Sequence, residues 1–293
     1  MATSDNTEPQ PRMIPLPTRG GAMAALDFGP ADRPVDIIFS HANGFNGRTY
    51  RTILQPLGAS LRVLAIDLRG HGASTLPAEI EGRQGWLEFR DDLLALLTAL
   101  GQGPVVLAGH SMGGTASLLT AAAQPASVRA LALFDPVVMP NDVPQDVNTV
   151  QNSPLVAGAL RRRAVYPSRQ AAFEAYRGRG AFRSWSTAQL TDYVAAGFGP
   201  TEDGEVTLTC APAWEASNFR THNYDAWAAF RGSRCPIGIL RAAEGSTFRL
   251  EGRETELGSD GRITVETVPG TTHFLPMERP DLVRRTLLDC AAT

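Results

Sequence analysis

Lysine is missing from the chain, so all 27 of its basic residues are arginines. Without lysine the protein cannot form a Schiff base through a lysine side chain, and it cannot pair a catalytic serine with a lysine base. The arginines are outnumbered by 30 acidic residues, which leaves a formal net charge of −3. This charge gives no electrostatic reason to expect a nucleic-acid partner.

Cysteine is scarce, and long apolar runs are absent. Cys210, Cys235 and Cys290 are odd in number and far apart, which is typical of reduced packing residues and argues against a disulfide framework or a metal site. No apolar run approaches the length that spans a bilayer, and the N-terminus lacks the pattern of a signal peptide. We therefore expect a cytoplasmic protein without membrane contact, and the sequence leaves its oligomeric state open.

The order of apolar patterns predicts the architecture. Hydrophobic residues make up 43% of the 293 residues and charged residues 19%, as in a globular protein. Patterns typical of buried strands alternate with helical patterns in the first half of the chain and return near its end. This alternation predicts an α/β fold in which helices flank a mostly parallel central sheet.

The segment 139–234 interrupts that alternation. It shows no convincing pattern of a buried strand, and its helical stretches lie near residues 154–163, 168–177 and 187–196. We interpret it as a helical lid inserted between a first core part, 13–138, and a second core part, 235–293. Residues 1–12 are polar and without period, which predicts a disordered tail.

A strand, a sharp turn and a helix are predicted around the pentapeptide Gly109-His110-Ser111-Met112-Gly113. The glycines two residues before and after the serine remove the Cβ atoms that would collide in so tight a turn. This pattern predicts a nucleophile elbow, which would hold Ser111 at the C-terminal edge of a parallel sheet. The alternative is an ordinary glycine-rich turn that contains a serine.

Acyl transfer by a serine requires a base that takes its proton and an acid that orients this base. His273 lies in the loop after the last predicted strand, and we predict it to be the base. An oxyanion hole needs two backbone N–H donors. Met112 follows the nucleophile, and Asn43 lies in the loop after an early strand, so these two are our candidates. An ordinary Asn-Gly turn is the alternative for the second loop.

Four motifs, taken in order, resemble those of the α/β-hydrolase superfamily. They are His41-Ala42-Asn43-Gly44, Asp67-Leu68-Arg69-Gly70-His71-Gly72, Gly109-His110-Ser111-Met112-Gly113-Gly114 and Gly270-Thr271-Thr272-His273. The resemblance covers the chain from about residue 13 to the C-terminus. It implies the hydrolase fold, a lid between the sixth and seventh core strands, and no cofactor.

The resemblance also implies two positions for the acid. The family usually places it after the seventh core strand, where Glu244 is the one carboxylate close to the strand end. A minority of relatives, including haloalkane dehalogenases, place it after the sixth strand, where Asp135 lies. We favour Glu244, because the extra methylene of a glutamate can absorb its position one residue early, and we keep Asp135 as the alternative.

These residues predict a carboxylic-ester hydrolase that acts on a small apolar substrate through an acyl-enzyme. The same triad would serve a carbon–carbon bond hydrolase or a lactonase, and the scaffold would also suit a ligand receptor. Haloalkane dehalogenases and epoxide hydrolases use an aspartate at the elbow, so Ser111 argues against both. We expect the apolar pocket to be lined by four lid residues, Trp214, Phe219, Tyr224 and Trp227.

Overall fold

The computed structural model of the chain describes residues 8–83, 85–139, 153–221, 223–250, 252–258 and 261–293. Most of the predicted tail, residues 1–7, and the lid residues 140–152 lie outside the described residues.

The described residues contain strands and helices in alternation. The strands are β1 (Gln10–Leu16), β2 (Gly21–Phe28), β3 (Ile37–Ser40), β4 (Val63–Ile66), β5 (Val105–His110), β6 (Val128–Phe134), β7 (Val165–Tyr166), β8 (Phe198–Pro200), β9 (Val206–Leu208), β10 (Ile237–Ala242) and β11 (Ile263–Val268). The α-helices are α1 (Arg51–Leu54), α2 (Leu87–Leu100), α3 (Met112–Ala123), α4 (Pro154–Leu160), α5 (Arg169–Tyr176), α6 (Thr187–Gly197), α7 (Pro212–Arg220), α8 (Ala226–Gly232), α9 (Leu275–Glu278) and α10 (Pro280–Ala291). None of these helices is long and apolar enough to cross a membrane.

Eight strands form one sheet in the order β1-β2-β4-β3-β5-β6-β10-β11. From β4 to β11 all neighbouring strands in this order are parallel, whereas β2 pairs antiparallel with both β1 and β4. The predicted α/β fold with a mostly parallel sheet is confirmed. Because parallel strands end at one edge of the sheet, the loops after β3, β5, β6, β10 and β11 lie side by side there.

The central strands are buried on both faces. Leu107 packs into one apolar cluster with α2 and α3, while its neighbours Val106 and Ala108 pack into a second cluster with α1 and α10. Successive side chains of a strand point to opposite faces, so each strand contributes to both clusters. Burial on two faces explains why the predicted strands read as continuous apolar runs.

Two expectations about chain organisation need correction. The strand β1 begins at Gln10 and pairs with β2 along its whole length, so regular structure begins inside the tail predicted for residues 1–12. Antiparallel pairing with β2 orders these polar residues, which have little apolar surface of their own. Within the predicted helical lid, β7, β9 and β8 form a small antiparallel sheet. Strands of two or three residues are too short to show a period in the sequence.

Candidate active site

Ser111 stands in a sharp turn between β5 and α3. Its backbone has φ 54° and ψ −121°, a conformation that is costly for a residue with a side chain. A Cβ atom at Gly109 would collide with the backbone of Gly113, and a Cβ atom at Gly113 would collide with the backbone of Ser40. The turn therefore requires both glycines. It leaves Ser111 only 7% exposed at the first turn of the helix.

His273 connects the serine to a carboxylate. Its Nε2 atom lies 2.9 Å from the Oγ atom of Ser111, and its Nδ1 atom lies 2.7 Å from Oδ2 of Asp135. A carboxylate can only accept a hydrogen bond, so Nδ1 carries the proton and donates to Asp135. The Nε2 atom is then free to accept the hydroxyl proton of Ser111, which is the role of a general base.

The structure brings Asp135, and not the preferred Glu244, into contact with His273. Its side chain is exposed, and its backbone N–H donates to the carbonyl oxygen of Thr271 at 3.0 Å. Asp135, directly after β6, is fully buried and contacts His273. The carboxylate that contacts His273 therefore follows β6, and the backbone of Glu244 connects the loop after β10 to the loop after β11.

The loop after β10 supplies donors to Asp135. The Oδ1 atom accepts from the backbone N–H of Ala242 at 2.9 Å and from the hydroxyl of Ser246 at 2.5 Å. The Oδ2 atom accepts from the N–H of Thr247 at 3.0 Å in addition to His273. Burial by itself would raise the pKa of Asp135, but these hydrogen bonds, led by that from His273, outweigh it and lower the pKa to about 2. The carboxylate is therefore ionised at neutral pH.

Sequence reasoning missed Ser246 and Thr247. The available signal is the polar run 244–247 directly after a predicted strand, which contains two hydroxyls in addition to its carboxylate. The hydroxyls of such a run can fix an acid that another strand supplies.

Asn43 lies in a loop whose neighbouring N–H groups are already engaged. The N–H of Ala42 donates to the hydroxyl of Tyr50 at 3.2 Å, and the N–H of Gly44 donates to Nε2 of His71 at 3.0 Å. Between them, the N–H of Asn43 has no acceptor among the described residues. Met112 is the first residue of α3, where backbone N–H groups have no partner within the helix.

The side chain of Asn43 is held by α7 of the predicted lid. Its Nδ2 atom donates to the carbonyl oxygen of Glu215 at 3.0 Å, and its Oδ1 atom accepts from Nδ2 of Asn218 at 2.8 Å. Asn218 is fully buried. Because both ends of the amide are bonded, the orientation of the Asn43 backbone depends on the position of α7.

The four aromatic residues expected to line the pocket make packing contacts. The indole N–H groups of Trp214 and Trp227 and the hydroxyl of Tyr224 each donate to a backbone carbonyl oxygen. Phe219 packs in a small apolar cluster between α4 and α7. These contacts hold helices and loops together, and none of them is made with Ser111 or His273.

A different set of rings lies beside His273, and we call it the aromatic wall: Phe45, Trp185 and Phe274. The ring centres of His273 and Phe274 are 5.8 Å apart, and Phe45 lies 6.2 Å from Phe274 and 5.2 Å from Trp185. Trp185 is only 9% exposed, and its indole N–H has no acceptor among the described residues. The wall therefore combines apolar ring faces with one unused hydrogen-bond donor.

The chain is similar to known hydrolases. Residues 37–286 match a family model described as the alpha/beta hydrolase family. The chain is 35% identical to lipase LipV of Mycobacterium tuberculosis over 117 residues, which are 38% of this chain and only 40% of the lipase. It is 24% identical to the 2-(acetamidomethylene)succinate hydrolase of Mesorhizobium japonicum over 253 residues, 86% of each protein. A crystal structure of E-2-(acetamidomethylene)succinate hydrolase has the same fold, with a TM-score of 0.80 at 20% identity over 97% of this chain and 99% of that one.

Proposed function

Since the chain belongs to the alpha/beta hydrolase family, we propose that it is a serine hydrolase that cleaves carboxylic esters of small apolar substrates through an acyl-enzyme. The observation that carries the proposal is the continuous contact from Ser111 through His273 to Asp135, at 2.9 and 2.7 Å. A receptor would need a pocket but would not need these three groups in hydrogen-bonding order.

In the proposed reaction, Ser111 Oγ attacks the ester carbonyl while its proton passes to Nε2 of His273. The backbone N–H groups of Asn43 and Met112 stabilise the negative charge that develops on the carbonyl oxygen. His273 then donates its proton to the departing alcohol, which leaves an acyl group on Ser111. A water molecule, activated by the same imidazole, hydrolyses that acyl-enzyme. Asp135 stays ionised throughout and stabilises the imidazolium.

The substrate would lie against the aromatic wall, Phe45, Trp185 and Phe274. Two ring faces offer apolar contact next to the base, and the indole N–H of Trp185 offers one donor to an acceptor on the substrate. We also propose that 139–234 acts as a lid, because α7 contacts the Asn43 side chain and Trp185 comes from the same segment. The named relatives act as a lipase and as a 2-(acetamidomethylene)succinate hydrolase, so both ester and amide bonds belong in the substrate panel.

The nucleophile is tested with the variant Ser111→Ala. We expect kcat for p-nitrophenyl acetate to fall by about a thousandfold or more, because the attacking oxygen is lost. The matched control is Ser117→Ala, which removes a buried hydroxyl of α3 that bonds within the helix at 2.8 Å. This control should stay within a few-fold of wild type. Equal turnover by Ser111→Ala and wild type would exclude Ser111 as the nucleophile.

The reaction class is tested with a fluorophosphonate probe and a substrate panel. The probe should label wild-type protein at Ser111, and absence of labelling on folded protein would favour a ligand receptor. Short-chain esters should be turned over faster than lactones, vinylogous diketones or 2-(acetamidomethylene)succinate. If the protein prefers one of the other three substrates, the proposed triad stands and the proposed substrate class is wrong.

A further inference from the structure

A buried histidine lies directly behind the proposed nucleophile. His110 precedes Ser111 and is fully buried, and both of its ring nitrogens are hydrogen-bonded. Its Nδ1 atom lies 2.8 Å from the hydroxyl of Tyr50, and its Nε2 atom lies 2.7 Å from the carbonyl oxygen of His273. The Tyr50 hydroxyl also accepts the backbone N–H of Ala42 at 3.2 Å. We call these four residues, Ala42, Tyr50, His110 and His273, the rear chain.

The two ends of the rear chain determine which atom donates in each of its hydrogen bonds. The N–H of Ala42 can only donate, so the Tyr50 oxygen accepts there and its own proton goes to Nδ1 of His110. The carbonyl oxygen of His273 can only accept, so Nε2 of His110 carries a proton and donates to it. Burial lowers the pKa of His110, so the ring is neutral, and of its two neutral tautomers only the one protonated at Nε2 satisfies both partners.

The rear chain joins three loops that carry the proposed machinery. Ala42 is the neighbour of the oxyanion donor Asn43, His110 is the neighbour of Ser111, and the chain ends on the backbone of His273 itself. These groups come from the ends of three separate strands, β3, β5 and β11. The rear chain therefore connects, through hydrogen bonds, the loop that contains Asn43 with the loop that contains His273.

From this connection we propose that Tyr50 and His110 are positioning residues, which set the distance between the N–H of Asn43 and the imidazole of His273. The inference rests on the proposed serine hydrolase function. Tyr50 and His110 are both fully buried, so neither side chain is placed to contact a substrate. Their effect is transmitted through the backbone of Ala42 and of His273, and through the ring of His273, whose centre lies 5.0 Å from that of His110.

Packing alone does not explain why a tyrosine and a histidine occupy positions 50 and 110. A phenylalanine at position 50 would fill the same volume without a polar atom, and burying a hydroxyl or an imidazole is unfavourable unless its hydrogen bonds are made. Burial, with the nearby His273, lowers the pKa of His110 to about 3. His110 thus keeps its single tautomer across the pH range in which an ordinary imidazole would take up a second proton.

The test compares Tyr50→Phe and His110→Leu with wild type, using p-nitrophenyl acetate. A displacement of reacting groups by an ångström can cost about a hundredfold in rate. We expect kcat to fall about ten- to a hundredfold while KM stays within about twofold, because substrate contacts remain. His110→Gln, which keeps an N–H donor toward the carbonyl oxygen of His273, should recover part of the loss seen in His110→Leu.

The control variant is Thr120→Val, which removes a buried hydroxyl of α3 that bonds only within its own helix, at 2.8 Å from the carbonyl oxygen of Ala116. Melting temperatures are measured for all variants. The inference is supported if Tyr50→Phe loses kcat and Thr120→Val does not, at similar melting temperatures. It is overturned if folded Tyr50→Phe and folded His110→Leu both turn over within about threefold of wild type.

A second readout separates this inference from the proposed function. In protein with ¹⁵N-labelled histidine, His110 should give the signals of a neutral ring protonated at Nε2, and Tyr50→Phe should shift the ring signals of His273 while Thr120→Val does not. Unchanged His273 signals in Tyr50→Phe would overturn the rear chain even if esters are cleaved. Failure of wild type to react with a fluorophosphonate would instead overturn the proposed function, while the ¹⁵N spectra still decide on the rear chain.

Discussion

Ser111 and Asp135 share an unusual backbone conformation. Among the described residues other than glycine, these two have a positive φ, 54° and 44°. Aspartate and asparagine tolerate this region better than glutamate, because a short polar side chain can bond to nearby backbone. The backbone at position 135 therefore favours an aspartate, and strain is concentrated at two members of the proposed triad.

At the residue scale, the acid is tested by Asp135→Asn and Glu244→Gln. An amide at position 135 would present an N–H group or a neutral oxygen to His273, which loses the charge that stabilises the imidazolium and disturbs its tautomer. We expect Asp135→Asn to lower kcat by about a thousandfold to ten-thousandfold. Glu244→Gln should change kcat by less than about twofold, because its carboxylate is exposed.

Both proteins are checked by circular dichroism, and both should keep the wild-type spectrum. A larger loss of kcat in Glu244→Gln than in Asp135→Asn would return the acid to the loop after β10. If Asp135→Asn does not fold, Ser246→Ala is measured in its place. That variant removes one donor, and we expect a smaller fall in kcat with the fold retained.

The sequence indicated Ser111 and His273 more readily than the acid, for a local reason. The glycines around Ser111 act within five residues, and His273 follows the last strand of the sheet. The choice between Asp135 and Glu244 depends instead on contacts between the ends of neighbouring strands. Whether a loop provides the carboxylate or the donors to it, as Ser246 does here, is decided by tertiary structure and leaves no period in the sequence.

At the scale of elements, α7 connects the predicted lid to two loops of the core. Asn218 and the carbonyl oxygen of Glu215 bind the side chain of Asn43, and the indole of Trp214 donates to the carbonyl oxygen of Arg69 at 3.0 Å. A helical pattern shows which residues share a face, but it does not show what that face covers. The pattern therefore predicts a pocket wall from the aromatic residues of this region, whereas the structure shows an anchoring hydrogen bond for Trp214.

The anchoring role of Trp214 predicts a stability effect without a change in selectivity. Trp214 is 2% exposed, and replacement of a buried tryptophan by alanine leaves a large cavity. We expect Trp214→Ala to lower the free energy of unfolding by about 3–5 kcal/mol. The ratio of kcat/KM for acetate and butyrate esters should stay close to that of wild type.

Urea unfolding and the ester ratio are measured together, with Phe219→Ala as the control. Phe219 is half-buried in a smaller cluster on the same helix, so its loss should cost less stability. If Trp214→Ala kept its stability and changed the ester ratio severalfold, Trp214 would line the pocket as first expected.

At the scale of the whole molecule, the alternation of strands and helices made the parallel sheet predictable, because each strand is buried on both faces. The pairing of β1 with β2 was not predictable in the same way. The strand β1 is mostly exposed, and it carries proline at two of its seven positions. Proline and exposed polar residues are typical of loops, and at an edge of the sheet they are tolerated only because one side of the strand remains unpaired.

Buried histidines hold the loops at the edge of the sheet. The Nε2 atom of His71 accepts from Gly44, and His41 bonds through Nδ1 to the carbonyl oxygen of Ala42 at 2.7 Å. Burial lowers the pKa of His41, and it lowers the pKa of His71 to about 4 and that of His110 to about 3. The loop that contains Asn43 is therefore held by imidazoles that are neutral in the folded state.

The lowered pKa values of these histidines predict that the folded protein loses stability in acid. In the unfolded chain each would take up a proton near pH 6.5, whereas folded His71 does so near pH 4. Between these values the unfolded state binds more protons, so stability is present above pH 6.5 and is lost as the pH falls. For each such histidine the free energy of unfolding falls by about 1.4 kcal/mol per pH unit. Asp67 has the opposite effect on the free energy of unfolding, because burial raises its pKa to about 6.

Urea unfolding at pH 7.5, 6.5, 5.5 and 4.5 tests this dependence. Three histidines outnumber the buried carboxylates Asp67 and Asp192, whose pKa values burial raises, so the free energy of unfolding should fall by at least about 1 kcal/mol per pH unit below pH 6.5. His71→Gln, with an amide oxygen that can accept from Gly44, should show a shallower fall, because one of the three titrating groups is gone. Constant stability from pH 6.5 to pH 4.5 in wild type, with the same slope in His71→Gln, would contradict a low pKa for the His71 ring.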